Sequence, residues 1–221
     1  MSKVQAMAFD AYGTLLDVSS VGSGPGGLDA ETQRRVALIW RSKQLEYTWL
    51  RTLMKDYADF EKVSGDALRY AIRATGISEN RFDNLMDEVK RLRCFPEVPA
   101  ALARLSQKSV RMAILSNGTP AMLNSALEVN GLRDNFEAVL SVEQVGVYKP
   151  DRLVYGLASK HFSLKPKDIL FVSSNSWDVA GAASFGLRTA WCNRTQTIFD
   201  ELGYKPDMEV RDFRELAESV E

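Results

Sequence analysis

The sequence predicts an α/β protein: a parallel sheet covered by helices on both faces, with a block of helices inserted after the first strand. Three observations predict it. Beyond about residue 97, short apolar runs alternate with stretches that have apolar residues at helical spacing. A buried-strand pattern also stands at residues 4–9, about 90 residues upstream of the others. Between the two, residues 17–95 carry helix-period apolar positions and no convincing strand. The chain has 221 residues, which fits one compact domain or a domain with a second built into it. A chain of that size buries roughly 70% of its unfolded surface, so a full core forms without metal or disulfide staples.

The first strand, residues 4–9, stops at Asp10 and Gly13. Residues 22–27, Gly-Ser-Gly-Pro-Gly-Gly, form a Gly/Pro-rich loop. After it Val36, Ile39, Trp40, Leu45, Trp49, Leu53, Tyr57 and Phe60 recur at three-to-five-residue spacing. Ser64 is the expected N-cap of a second helix, with Leu68, Ala71, Ile72 and Thr75 inward and Gly76 closing it. Ser78 is expected to cap a third, with Phe82, Leu85, Met86, Val89 and Leu92 on one face. The alternating half follows. A helix from Pro99 precedes a strand at 112–115, and a helix from Pro120 ends at Asn130 and Gly131. A strand at 138–140 leads to a helix through Leu153 and Ala158. A strand at 169–172 leads to a helix at 179–185, stopped by Gly186. A strand at 189–192 and a helix at 212–219 complete the pattern.

Composition narrows the function classes. Lys+Arg is 28 and Asp+Glu is 29, a formal net charge of -1, which gives no electrostatic case for nucleic acid or anionic lipid. No run approaches the ~18 apolar residues of a membrane span, and the N-terminal residues meet acid too soon for a secretory signal. Cys94 and Cys192 lie far apart, and with a single His they assemble no zinc cluster. A reducing, cytoplasmic setting is expected.

In such sheets the ligand crevice lies beyond the carboxyl ends of the strands. Residues 10–17, Asp-Ala-Tyr-Gly-Thr-Leu-Leu-Asp, follow the first strand, and Ser116, Asn117 and Gly118 follow the second. Val147-Tyr148-Lys149-Pro150 follows the third, and residues 173–178, Ser-Ser-Asn-Ser-Trp-Asp, the fourth. Singly these read blandly. Asp10 is a loop cap, Arg41 a solvated helix residue, Ser173 and Asn175 helix caps, and Phe60 equally core or pocket wall. Four polar clusters in order, each at a strand end, favour a site at which two carboxylates and one Lys converge. Residues 22–27 satisfy Gly-x-Gly-x-x-Gly, but Pro25 and the lack of a preceding buried strand set dinucleotide binding aside. His161 reads as a structural or surface group. Tyr47, Trp49 and Tyr57 read as packing or dimer-contact aromatics.

The order of the clusters resembles the haloacid dehalogenase (HAD) superfamily, whose motifs are a nucleophilic Asp, a Ser/Thr, a Lys and an acidic loop. Most members are magnesium-dependent phosphatases, with a second Asp two residues after the first and an acid four residues before the last. Here Tyr12 and Ser174 stand at those positions. A general acid and one oxygen ligand for Mg²⁺ are thereby lost. In detail the chain is similar to the L-2-haloacid dehalogenase branch, in residues 10–15, 40–49 (Trp-Arg-Ser-Lys-Gln-Leu-Glu-Tyr-Thr-Trp), 115–118, 147–150 and 173–178. Position 42 is Ser and position 146 Gly, where relatives often carry larger polar or basic residues. A wider pocket beside Arg41 is the expected consequence of Ser42.

The resemblance implies a Rossmann-like core (the HAD fold) of residues 1–16 and 97–221, with a helical cap domain of residues 17–96. It implies hydrolysis of short-chain L-2-haloalkanoic acids to D-2-hydroxyalkanoic acids and halide, with no metal and no cofactor. Asp10 attacks C2 and forms an ester, which water then opens. Arg41 receives the halide, with Asn117 as a further donor. Leu45, Phe60 and Trp177 wall the pocket. Ser116 and the backbone N–H groups of Ala11 and Tyr12 hold the substrate carboxylate. Thr14 orients Asp10, and Lys149 keeps it anionic. Ser173, Asn175 and Tyr155 are outer partners of the Lys149–Asp10 pair, and Asp178 either positions Lys149 or activates the water. Relatives are commonly homodimers. The alternatives are a magnesium-dependent phosphatase acting on a small phosphomonoester and a non-enzymatic binding protein on the same fold.

Overall fold

The computed structural model describes residues 4–24, 27–108 and 110–220. Pro25 and Gly26 of the Gly/Pro-rich loop lie outside the described residues. Strand β1 (Ala6–Phe9) is followed by helices α1 (Ala30–Met54), α2 (Phe60–Thr75) and α3 (Phe82–Lys90). Then come α4 (Val98–Gln107), β2 (Arg111–Ser116), α5 (Pro120–Val129), β3 (Ala138–Ser141) and α6 (Arg152–Phe162). The chain ends with β4 (Ile169–Ser173), α7 (Ser176–Phe185), β5 (Arg188–Cys192), β6 (Met208–Val210) and α8 (Phe213–Ser219).

The six strands form one sheet in the order β3-β2-β1-β4-β5-β6. Every pairing is parallel. Strands β1 and β4 are buried at every residue, as a sheet covered on both faces requires. In the centre Ala8 of β1 pairs with Ala113 of β2 and Phe171 of β4. The chain steps outward from β1 in one direction to β2 and β3, and in the other to β4, β5 and β6. The order reverses at β1, which puts the crevice at its carboxyl end. Strand β6 escapes the sequence reading because it is three residues long, with Glu209 exposed.

Helices α1–α3 stand between β1 and β2, as expected, but their boundaries differ. The continuous helical spacing of residues 36–60 is broken. Helix α1 ends at Lys55 in the left-handed conformation, with φ 58°. Helix α2 then starts at Phe60, capped by Asp59, whose side chain accepts from Lys62 N at 2.8 Å. Ser64 is therefore no N-cap. It lies wholly buried in the second turn of α2, with its hydroxyl committed to Gln44. Ser78 precedes a 3₁₀ turn at 79–81 and caps it with no side-chain hydrogen bond. The chain enters and leaves the helical insert side by side, since Phe95 N donates to Leu15 O at 3.0 Å and Asp17 N to Arg93 O at 2.8 Å. Tyr148, from the loop after β3, ties the insert to the sheet. Its N–H donates to Thr52 Oγ1 at 3.1 Å and its hydroxyl to Ala58 O at 2.6 Å.

Candidate active site

Asp10 is the first residue beyond β1, and its backbone N–H donates to Val172 O at 3.0 Å, continuing the sheet. The chain then turns tightly. Leu15 N and Leu16 N both donate to Ala11 O at 2.9 Å. Gly13 has φ +87°, a conformation a side chain rarely adopts, and Asn175 Oδ1 lies 3.6 Å from where its Cβ would be. The N–H groups of Ala11 and Tyr12 take no part in that turn.

The two oxygens of Asp10 have different surroundings. Oδ2 accepts from Thr14 Oγ1 at 2.7 Å, Asn175 Nδ2 at 2.9 Å and Ser173 Oγ at 3.5 Å. Oδ1 accepts from Lys149 Nζ at 3.2 Å. The same ammonium reaches Asp178 Oδ2 at 2.9 Å and lies 4.7 Å from the ring centre of Phe171. Asp178 is fully buried, and its other oxygen accepts from Tyr155 Oη at 2.8 Å. Burial pushes the Asp178 carboxyl up to about 6 against the pull of Lys149, and the nearby Asp10 charge adds to the rise. Burial also holds the Tyr155 hydroxyl well above its ordinary range, so it stays a donor.

From the insert, α1 brings Arg41 onto this cluster. Its guanidinium donates to Tyr12 O at 2.9 Å, Asn175 Oδ1 at 3.3 Å and Gln44 Oε1 at 2.7 Å. Its partial burial weighs against the charged form, and Asp10 and Asp178 support it. Phe60 is buried against the Tyr12 and Tyr148 rings, with centroids 5.0 and 6.3 Å apart. Trp177, half-buried at the start of α7, meets Trp49 of the insert edge-on at 5.4 Å. Leu45 is half-buried on α1. Ser116, fully buried, accepts from Gly118 N at 3.2 Å, and its own proton is left to donate. Asn117 Oδ1 accepts from Lys149 N at 3.1 Å, which turns its amide nitrogen the other way. The Tyr12 hydroxyl is buried and has no hydrogen-bond partner.

Some expectations need correction. Of the three expected partners of the Lys149–Asp10 pair, Asn175 and Ser173 bond Asp10 Oδ2, and Tyr155 lies on the Lys149 side, through Asp178. Asp178 bonds the ammonium directly, which speaks for its positioning role. Ser42 is exposed and widens no pocket beside Arg41. Gly146 has φ +65°, the left-handed region that favours glycine. His161 sits at the surface, 2.8 Å from Glu137. The Gly22 N–H that a phosphate would need donates to Glu88 Oε2 at 2.7 Å. Sequence reasoning missed Gln44, which reads as a surface residue of a helix and is buried only by the packing of α2 against α1. It also missed Arg194, which donates to Ser174 Oγ at 2.9 Å.

Comparison with known proteins places the chain in one family. The model of the haloacid dehalogenase-like hydrolases matches residues 4–186. An (S)-2-haloacid dehalogenase of Pseudomonas sp. (strain YL) is 44% identical over all of this chain and 96% of its own length. Haloacetate dehalogenase H-2 of Moraxella sp. (strain B) is 42% identical over 95% of each. The structure of L-2-haloacid dehalogenase from Xanthobacter autotrophicus with chloropropionic acid covalently bound superposes with a TM-score of 0.88. It is 34% identical, with 97% of each chain covered.

Proposed function

Because the chain belongs to the haloacid dehalogenase-like hydrolase family, we propose that it hydrolyses short-chain L-2-haloalkanoic acids to D-2-hydroxyalkanoic acids and halide. The observation that carries this is the hydrogen-bonding of Asp10. Oδ2 is held by three neutral donors, while Oδ1 meets Lys149 alone and is the oxygen left to attack. Oδ1 displaces halide from C2 with inversion and forms an ester. Water then adds to the Asp10 carbonyl carbon. The donors on Oδ2, from Thr14, Asn175 and Ser173, stabilise the oxyanion as it forms.

The other residues take supporting places. Lys149 stands against the attacking oxygen of Asp10 as its counter-charge, and Asp178 and Tyr155 fix the ammonium. Arg41 draws off the halide, with the Asn117 amide as a further donor. Ser116 and the Ala11 and Tyr12 N–H groups take the substrate carboxylate. Phe60, Leu45, Trp177 and the Tyr12 ring keep water from the reacting carbon. Residues 17–96 act as a cap over a core of residues 1–16 and 97–221. No metal or cofactor enters this reading. Ser174, at the position of a phosphatase acid, faces Arg194, and Asp10 Oδ2 is already engaged by Asn175.

We also assign a homodimer, supported by the exposed Leu53 and Met54 of α1, and a reducing cytoplasmic setting, supported by two free cysteines. No helix among the described residues is long and apolar enough to cross a membrane. The test is halide release from each enantiomer of 2-chloropropionate, with and without EDTA, beside p-nitrophenyl phosphate. Halide from the L form alone, indifferent to EDTA and abolished by Asp10→Asn, is expected. Magnesium-dependent phosphate release without halide would overturn the reading in favour of the phosphatase.

A further inference from the structure

All three hydrogen bonds of Arg41 end on neutral oxygens. Two reach the sheet end, at Tyr12 and Asn175. The shortest, at 2.7 Å, goes to Gln44, one turn further along the same helix. Gln44 is fully buried between α1 and α2, a place where side chains such as Trp40, Val63 and Leu68 are also fully buried. Its Nε2 donates to Ser64 Oγ at 2.7 Å, and Ser64 is fully buried on α2. Trp40 Nε1 donates to the Ser64 carbonyl at 3.2 Å and holds the same turn.

The chemistry of these groups leaves one arrangement. A guanidinium has donors only, so the amide of Gln44 must turn its oxygen to Arg41. The amide nitrogen then needs an acceptor on its far side, and Ser64 supplies it. An unpaired polar group at this depth is costly, so the three residues are placed together or not at all. A carboxylate at position 44 would bind Arg41 more strongly, through a charge-assisted bond. The amide supplies the same geometry without the charge.

We propose that Gln44 is a positioning residue: with its amide fixed by Ser64, it aims the Arg41 guanidinium without setting a carboxylate against it, so that the positive charge stays available to the departing halide. This rests on the dehalogenase reading. The partial burial that disfavours the charge of Arg41 becomes an attraction for a small anion.

Gln44→Glu, Gln44→Met and Ser64→Ala separate this role from packing. Each is assayed in the full chain on L-2-chloropropionate and L-2-bromopropionate, with bromide added as product inhibitor and circular dichroism as the folding control. Gln44→Glu is expected to weaken bromide inhibition about tenfold or more, the change that about 1.4 kcal/mol of lost anion attraction brings. It also raises the bromo-to-chloro ratio of kcat/KM, since the poorer leaving group depends more on Arg41. Gln44→Met, with the aiming bond gone, lowers kcat with the same rise in ratio. Ser64→Ala moves both readouts in the same direction by a smaller factor. Folded Gln44 variants with bromide inhibition and leaving-group ratio unchanged would overturn the proposal. If neither folds, Ser64→Ala decides by the same readouts. If the parent protein releases no halide, the dehalogenase reading itself has failed. If it does and the variants match it, only the role of Gln44 falls.

Discussion

At Lys149 one ammonium serves two carboxylates, and both its partners and the cation itself are almost entirely withdrawn from water. Such a group is held by its partners' charge, so protonating Asp178 loosens it. The Asp178 carboxyl is pushed up to about 6, chiefly by burial. Its neutral fraction therefore grows as pH falls through that value, and Lys149 loses its anchor on the acid side. The expected kcat/KM profile falls about tenfold per pH unit below that point and is level above it. Stopped-time assays from about pH 5 to about pH 8 check this, and a level acid limb would contradict the role given to Asp178. The residues at this scale were legible in the sequence where a polar side chain follows a buried strand, as at Asp10, Ser116 and Ser173. Gln44 was not legible. A glutamine on a helix reads as a surface group, and only the packing of α2 against it makes it a buried one.

Helices carry the same lesson one level up. Ser64 resembles a helix start because Ser favours caps, but Asp59 stands in extended backbone one turn earlier and satisfies Lys62 N with a charged oxygen. The sheet was read strand by strand, except for β6, which is too short to show a period. Helices α6 and α7 approach closely enough for Tyr155 to reach Asp178, and Gly181 permits it. A Cβ at Gly181 would lie 2.5 Å from Tyr155 Oη and 2.6 Å from Pro150 Cβ. Gly181→Ala is thus expected to destabilise the fold by about 1–3 kcal/mol, as overpacking does. It should also lower kcat/KM by displacing Tyr155. Denaturant unfolding and steady-state kinetics read the two effects, and a variant equal to the parent in both would contradict this placement of the tyrosine.

For the molecule as a whole, the insert and sheet share one buried apolar cluster, and Tyr148 and Arg41 bond across them. Leu53 of α1, 78% exposed, stands outside that core beside Met54, 62% exposed. Large apolar side chains exposed on one helix suit a second copy of the chain. Sedimentation is expected to show a dimer that Leu53→Glu converts to a monomer, and a monomeric parent would contradict the assignment. The chemistry itself turns on covalent attack by Asp10, a claim that isotope labelling reads directly. A single turnover of L-2-chloropropionate in ¹⁸O water, followed by mass spectrometry of the peptide containing residue 10, is predicted to place one ¹⁸O in Asp10. The first 2-hydroxyacid released should carry none. Label confined to the product, with Asp10 unlabelled, would mean that water attacks C2 directly and would contradict the account.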